Sequence, residues 1–383
     1  MTTPKHALFL TPEAPYPMTG GGAIRSASLL ELLRQRYEVD VVSFAEFEAP
    51  GVRETIRLTL PSNARHVPAR AWRNVSRYVR GVPPLVDRFR GFENQLTMAL
   101  RGRRYAVGVI EHFWCAEYAR VLRHVCDRLV LDLHNVESEL HASGAEATSW
   151  PVSTMFRRFS DLYEILERRW LREFDSVLVT STEDADRAKA LGAVRTIVYP
   201  NALPWIAKPE VEEQDRILFS GNFEYHPNQS AVQWFGRNVW PRLRQAHPGL
   251  EWWLVGKNPG FAASMADGDP RIKRTGPVDD AVSVLATAKV CVAPILEGSG
   301  TRFKILEAWA AGRAVVSTTL GAEGLGGRDG EELLIADDPG RMAEAISALL
   351  TDEEKRRQIG TAGRSAYEKR FTWPVAWSSI GDL

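Results

Sequence analysis

Between Glu297 and Ser317 the chain reads Glu297-Gly-Ser-Gly-Thr-Arg302-Phe-Lys304-Ile-Leu-Glu307-Ala-Trp-Ala-Ala-Gly312-Arg-Ala-Val-Val-Ser317. A glycine-containing turn runs into a helical segment that carries two cations and an acid. Such a helix start presents backbone N–H groups without intrahelical acceptors and the positive end of the helix dipole, a combination that seats anions. Arg302 and Lys304 add full charges to the seat. Glu307, about a turn and a half into the helix, has the acceptor oxygens that ribose hydroxyls need. Phosphate is the expected guest. Taken alone, the same residues also describe a plain turn at Gly298 and Gly300 ahead of a solvated helix face, and short motifs of this kind produce many false matches. The elements around them have to decide between the two.

The chain has 383 residues, 44% hydrophobic and 25% charged, which predicts two domains of roughly 100–200 residues, each with its own core. Lys plus Arg and Asp plus Glu number 48 each, so no net charge draws the chain to nucleic acid, and no zinc-finger or RNA-binding signature is present. No apolar run reaches the ~18 residues of a membrane span. The first residues, Met-Thr-Thr-Pro-Lys-His-Ala-Leu-Phe-Leu, lack a long apolar core and a small-residue cleavage site, so the expectation is a cytoplasmic protein. Cys115, Cys126 and Cys291 sit in apolar surroundings without C-x-x-C spacing, which favours core packing over disulfide or metal.

Short apolar runs alternate with longer amphipathic segments. Strands are predicted at Ala7–Leu10, Val39–Phe44, Val107–Ile110, Leu129–Leu133 and Ser176–Thr180, separated by helices at Ile24–Arg36, Cys115–Cys126 and Ser153–Glu173. A second series follows, with strands at Ile217–Ser220, Leu250–Val255, Ile272–Thr275, Val290–Val292 and Ala314–Ser317. Its helices are predicted at Ser230–Leu243, Ala281–Thr287, Ile305–Ala311 and Met342–Leu350. This alternation is the mark of parallel sheets covered by helices on both faces. The break falls after Tyr199-Pro-Asn-Ala-Leu-Pro204, which gives domains over 1–204 and 205–365 and a terminal segment over 366–383.

In open α/β sheets ligands sit beyond the carboxyl ends of the strands. Glycine turns occur there in both halves: Gly20-Gly21-Gly22 after the first strand, and Gly221-Asn222 after the first strand of the second series. Three glycines ahead of a helix let the backbone approach a ligand closely. A dinucleotide-binding turn would instead want G-x-G-x-x-G directly after the strand and an acid closing the second strand. Here a segment with three prolines intervenes and the second strand ends in Ser43-Phe44, so a nicotinamide cofactor is discounted.

Several ordered segments give the chain its resemblance to retaining GT-B glycosyltransferases of family 4, the group 1 glycosyl transferases. They are Gly20-Gly21-Gly22, Leu131-Asp-Leu-His134-Asn-Val-Glu-Ser138, Tyr199-Pro-Asn201, Phe219-Ser-Gly221-Asn222, Leu254-Val-Gly256, Thr275-Gly276-Pro-Val278, the Glu297–Glu307 run and Gly321-Ala-Glu-Gly324. The resemblance implies the GT-B fold: two doubly wound Rossmann-like domains facing across a cleft. It further implies that the second domain binds a nucleotide-diphosphate sugar, a co-substrate rather than a cofactor. The base would lie near Gly276 and Val278, the ribose on Glu307, and the diphosphate on Gly221, Asn222, Gly300, Thr301, Arg302 and Lys304. His134 resembles the family histidine that lies against the donor sugar, and Gly20-Gly21-Gly22 resembles the loop near the donor phosphate and acceptor. His134 read from its residue type alone is equally a structural histidine.

Two departures stand out. The family's paired glutamates have seven residues between them, whereas the residue eight before Glu307 is Ser299 and Glu297 lies two further back; either takes the first glutamate's place. The turn Gly221–Asn228 also lacks the arginine and lysine that commonly hold diphosphate there, and Arg302 with Lys304 is expected to supply that charge instead. The resemblance implies a leaving phosphate oxygen that accepts the acceptor's proton on the same face, so no dedicated carboxylate base is required. No D-x-D motif ends a strand, and no metal is expected.

The acceptor is open among glycans, lipid-linked sugars and small molecules. Arg65, Arg70, Arg73, Arg77, Arg80, Arg88, Arg90, Arg101, Arg103 and Arg104 stand against Asp87 and Glu93. That arginine-rich stretch reads either as a solvated face or as a peripheral contact with the anionic inner face of a membrane. The other readings of the whole chain are a GT-B nucleotide-sugar epimerase and a non-catalytic nucleotide-sugar-binding homologue. Ser365–Trp377 is expected to form a terminal helix that returns to the first domain, with Trp373 and Trp377 on one stripe.

Overall fold

The computed structural model describes residues 5–49, 51–61, 76–257, 268–298 and 302–381. The chain divides into two compact units: Met1–Pro200 together with Trp377–Leu383, and Asn201–Ala376.

The first unit is built on seven parallel strands: β1 (His6–Thr11), β2 (Glu38–Ser43), β3 (Glu54–Arg57), β4 (Val107–Glu111), β5 (Leu129–Asp132), β6 (Ser176–Val179) and β7 (Thr196–Val198). Their order is β3-β2-β1-β4-β5-β6-β7. Ala7, Leu8, Phe9 and Leu10 are all fully buried, as a strand covered on both faces requires. The sheet changes direction between β1 and β4, so the crevice where ligands collect in such sheets opens beyond Thr11 and Glu111. In the β4–β5 register Glu111 pairs with Asp132, which sets two acids side by side at that edge.

The second unit repeats the plan with six parallel strands: β8 (Gln214–Ser220), β9 (Glu251–Val255), β10 (Ile272–Gly276), β11 (Ala288–Ala293), β12 (Ala314–Ser317) and β13 (Leu334–Ile335). Their order is β10-β9-β8-β11-β12-β13, with the direction change between β8 and β11. Its core joins Ile217 and Phe219 to Phe235, Trp252, Val290, Val316, Met342 and Ile346. Helix Phe303–Ala310 packs on helix Glu353–Arg370, and Gly363 is the point of contact: any Cβ there would run into the Trp309 indole.

Four expectations are corrected. The first helix starts at Gly21, not Ile24, so Gly21 and Gly22 form its opening turn and only Gly20, at φ 149°, precedes it. The expected helix Cys115–Cys126 is a 3₁₀ segment, Phe113–Tyr118, followed by one α turn, Ala119–Leu122. The chain must leave helical geometry there because Val125 accepts the Tyr105 N–H and Cys126 bridges to Tyr105. Ser230–Leu243 is two helices, His226–Asn238 and Trp240–Ala246, since Pro241 has no N–H to continue the first ladder. The terminal segment is likewise helix Glu353–Arg370, then an extended break, then helix Trp373–Ile380. The break exists because Leu203 donates to Phe371 O at 3.0 Å and accepts from Trp373 N at 2.9 Å. The two indoles are half-buried: Trp373 donates to Ala202 O and Trp377 to Ser28. No helix among the described residues is long and apolar enough to cross a membrane.

Candidate functional site

In the second unit the carboxyl ends of β8 and β11 bring the Arg302–Glu307 run together with residues to which the sequence reading gave no role. Ser220, the last residue of β8, donates its hydroxyl to Glu307 Oε2 at 3.2 Å. Lys304 Nζ donates to Asn228 Oδ1 at 2.9 Å and lies 5.1 Å from the centre of the Phe219 ring. Desolvation, with the positive charge of Arg302, lowers the Lys304 ammonium to about 7, against the pull of Glu307. Desolvation likewise raises the Glu307 carboxyl to about 7, against the Ser220 hydrogen bond and the charge of Lys304. Both groups therefore change protonation near neutrality, where a bound anion can decide their charge.

Arg302 caps the helix and turns back, its guanidinium donating to Gly298 O at 2.7 Å. Gly298 is at φ 96° with the Tyr225 hydroxyl and the guanidinium close by, a conformation and a space that suit glycine. Glu297 is buried, 2% exposed. Its Oε1 receives the Ser230 hydroxyl at 2.5 Å and lies 2.7 Å from His226 Nδ1. Ser299, Gly300 and Thr301 lie outside the described residues. Gly221, Gly256 and Gly276 follow one another across the strand ends, Gly221 N donating to Val255 O and Gly256 N to Gly276 O. Asn222 turns its Oδ1 to Glu224 N, and Val278 is half-buried; no hydrogen bond among the described residues joins either side chain to Lys304 or Glu307. A Cβ on Gly256, at φ 137°, would overlap the Gly221 carbonyl oxygen. Gly256→Ala should therefore cost on the order of 1–3 kcal/mol, whereas Gly249→Ala, with open space around it and ordinary φ, should not. Chemical denaturation of both variants checks this.

In the first unit His134 lies two residues past β5 in a buried charged network. Its Nε2 is 3.3 Å from Glu111 Oε2 and 3.4 Å from Asp132 Oδ2. Asp132 is held bidentately by Arg25, from Nε at 2.8 Å and from a terminal nitrogen at 2.5 Å, and Arg25 also donates to Tyr199 O. Ser26 donates to Glu111. Burial alone would lower His134; the hydrogen bonds and charges of Asp132 and Glu111 outweigh it and raise the ring to about 9. Two cations, Arg25 and His134, thus balance two carboxylates. Gly22 lies beside this imidazolium: an added Cβ would sit 3.7 Å from His134 Nδ1 and from Glu13 Oε2. Gly22 and His134 are therefore neighbours.

His112, at φ 61°, stacks on His134 with ring centres 3.6 Å apart and on Trp114 at 4.2 Å. Burial, then the charges of His134 and Arg25, hold it well below its ordinary value and hence neutral. Glu111, His112 and His134 offer one ligand atom each within 4.8 Å of one another. The two rings are tilted by only 33°, however, so their in-plane lone pairs run side by side rather than converge, a poor cage for a cation. Arg25, Glu111, His112 and Asp132 were missed as site residues. Their signal was present in the two strand-ending acids and in the arginine three residues after Gly22.

Two doubly wound parallel sheets in one chain, each with polar groups at its direction change, define the GT-B class. Residues 214–352 match the family described as Glycosyl transferases group 1, and the chain resembles the GT-B glycosyltransferases of that group. Phosphatidyl-myo-inositol mannosyltransferase of Mycobacterium tuberculosis is 29% identical over 231 residues, 56% of each chain. The chain spans 56–62% of the length of the curated relatives it first matches. Sucrose-phosphate synthase from Thermosynechococcus elongatus superposes with a TM-score of 0.71 at 17% identity, over 98% of this chain and 97% of that one. Anabaena HepE in complex with UDP-glucose gives 0.65 at 15% identity, over 98% of each chain. Likeness at that identity speaks for the fold.

Proposed function

We propose that this protein transfers a sugar from a nucleotide-diphosphate sugar to a hydroxyl of a glycan, lipid-linked or small-molecule acceptor, with retention at the anomeric carbon. The observation that carries this reading is Lys304. It reaches the last residue of the Gly221–Asn228 turn, which has no arginine or lysine of its own, and brings a positive charge to Asn228 beside the Ser220–Glu307 pair. The diphosphate is held by Lys304, Arg302 and the backbone at Gly300 and Thr301, the ribose by Glu307, and the base near Gly276 and Val278. Negative charge grows on the leaving phosphate oxygen as the bond to the sugar breaks, and fixed cations stabilise that change more than the ground state. The same oxygen takes the acceptor's proton, so neither a carboxylate base nor a metal is called for. His134, kept protonated by Glu111 and Asp132, offers a hydrogen-bond donor to a sugar hydroxyl or phosphate oxygen, next to Gly22 of the Gly20-Gly21-Gly22 loop. The HepE complex with UDP-glucose and the mannosyltransferase relative support a nucleotide-sugar donor. A cytoplasmic location is part of the same proposal.

The Glu111–Asp132–His134 cluster favours one second reading, a nucleotide-sugar epimerase, which needs acids and a histidine for elimination and re-addition. Incubation with a panel of nucleotide sugars separates the readings. Free nucleoside diphosphate supports transfer, an isomerised donor supports epimerisation, and binding without turnover supports a non-catalytic homologue. Glu307→Gln, which keeps the volume and removes the charge, should raise the donor Kd about 10–100-fold, as expected when a hydrogen bond to a charged group is weakened. Calorimetric titration showing an unchanged Kd would remove Glu307 from the ribose contact.

A further inference from the structure

Several charged groups outside the Arg302–Glu307 run are spent on one another. In the arginine-rich stretch Arg77 and Arg80 share Asp87, Arg103 pairs with Glu54 and Asp40, and Arg104 donates to His124 O. Arg65, Arg70 and Arg73 lie outside the described residues. His226 and Glu297 are placed differently. They tie the start of the helix that follows β8 to the loop that follows β11. The second sheet changes direction between those two strands, which is where ligands collect in sheets of this kind.

Glu297 is gripped from one side of that helix. His226 and Ser230 lie four residues apart in His226–Asn238 and are neighbours on its surface. The Ser230 hydroxyl donates to Glu297 Oε1, and His226 Nδ1 lies 2.7 Å from the same atom. Asn228, two residues beyond His226 and so turned by about 200°, meets Lys304 instead. The imidazole is therefore set apart from the Lys304 contact. A carboxylate oxygen only accepts, so Nδ1 carries a hydrogen and the ring turns Nε2 outward. Glu297 is 2% exposed whereas the imidazole is 50% exposed, and Nε2 has no partner among the described residues.

We propose that His226 is a specificity-determining residue for the donor sugar: held at Nδ1 by Glu297, it bonds a hydroxyl of that sugar through Nε2. A hydroxyl both donates and accepts, so it suits Nε2 as a lone pair in the neutral ring and as an N–H in the charged one. A phosphate oxygen suits only the second and would face the negative charge of Glu297 at close range. Glu297 then serves the sugar at one remove, through the ring it orients. The inference rests on the donor reading of the second unit.

Calorimetric titration of the full chain with UDP-glucose, ADP-glucose and GDP-mannose, each against its own nucleoside diphosphate, tests it. The amide of an asparagine reaches the Nδ1 position of a histidine, and that of a glutamine the Nε2 position. His226→Asn, which keeps the bond to Glu297, should raise the Kd of the nucleotide sugar about 3–10-fold, the range for one lost neutral hydrogen bond, and leave that of the nucleoside diphosphate unchanged. His226→Gln should keep the wild-type ratio between the two ligands. A merely structural histidine would give the reverse order, with Asn harmless and Gln lowering the unfolding midpoint. Unchanged nucleotide-sugar affinity in His226→Asn overturns the inference while the donor reading stands. An equal loss for the nucleoside diphosphate also overturns it, by placing the ring on phosphate. If the wild-type chain binds none of UDP, ADP and GDP, the donor reading itself fails and this inference falls with it.

Discussion

Lys304→Ala is expected to lower turnover about 10²–10³-fold, the range seen when one preorganised donor is removed from a site of developing negative charge. The folded state should not suffer in proportion. Lys304 is a desolvated ammonium whose hydrogen bond among the described residues goes to Asn228, so its removal relieves a desolvation cost while it forfeits that contact. Lys304→Met should keep the unfolding midpoint within about 2 °C, a few tenths of a kcal/mol in a chain of this size, and still lose activity. The pH dependence has a definite sign. A diphosphate favours the charged ammonium, which lies near pH 7 before binding. Donor affinity should fall as pH rises above about 7, and binding at pH 7.5 should take up a proton. Calorimetric titration with a nucleoside diphosphate in buffers of different ionisation enthalpy measures that uptake directly. No uptake, together with a pH-independent affinity, would place the diphosphate away from Lys304.

Arg25→Met is expected to destabilise the first unit by about 3–5 kcal/mol, because it leaves the fully buried Asp132 without its guanidinium. In a unit of this size that is about 6–20 °C in unfolding midpoint. Arg25→Met with Asp132→Leu should recover most of the loss, since removing both charges abolishes the uncompensated one. Failure of the double variant to recover would show that Arg25 acts through its bond to Tyr199 O instead. The network also sets the pH limits of this unit. His134 rises from its ordinary 6.5 to about 9 on folding, so its contribution is complete below about pH 6.5 and is lost as pH climbs through about 9. Asp132 is held below the ordinary carboxylate range by Arg25 and His134, against burial. Its contribution is present above about pH 3.9 and disappears as pH falls beneath it. Urea unfolding across this range should show a plateau with both shoulders, and His134→Ala should erase the alkaline one.

How far the sequence could be read follows from where its signals are local. Central strands such as β1 and β12 announce themselves by unbroken apolar runs. The edge strands β3, β7 and β13 were missed, since Glu54–Arg57 is mostly exposed and Leu334–Ile335 is only two residues long. The Arg302–Glu307 run was legible as a candidate seat because turn, cations and acid lie within eleven residues of one another. Asn228 was not, because its role depends on Lys304, 76 residues away in the chain, reaching it across the gap between β8 and β11. The same holds for Glu111 and Asp132, whose adjacency is a matter of strand register. Glu297, offered with Ser299 by the resemblance for the first glutamate's place, has one oxygen turned to Ser230 and His226, partners 67 and 71 residues away that the sequence pattern does not link to it.

The first unit is assembled from two separate stretches of chain, and Trp377, in the second of them, donates to Ser28 in the first. The stretch 201–376 is in effect an insertion within its host. A fragment cut after Pro200 would lack the indole that caps Ser28 and should be the less stable product, whereas a circular permutant opened within 201–376 keeps both halves of the host covalently joined through its new linker. Genetic dissection of this chain should therefore excise from the middle rather than truncate from the end.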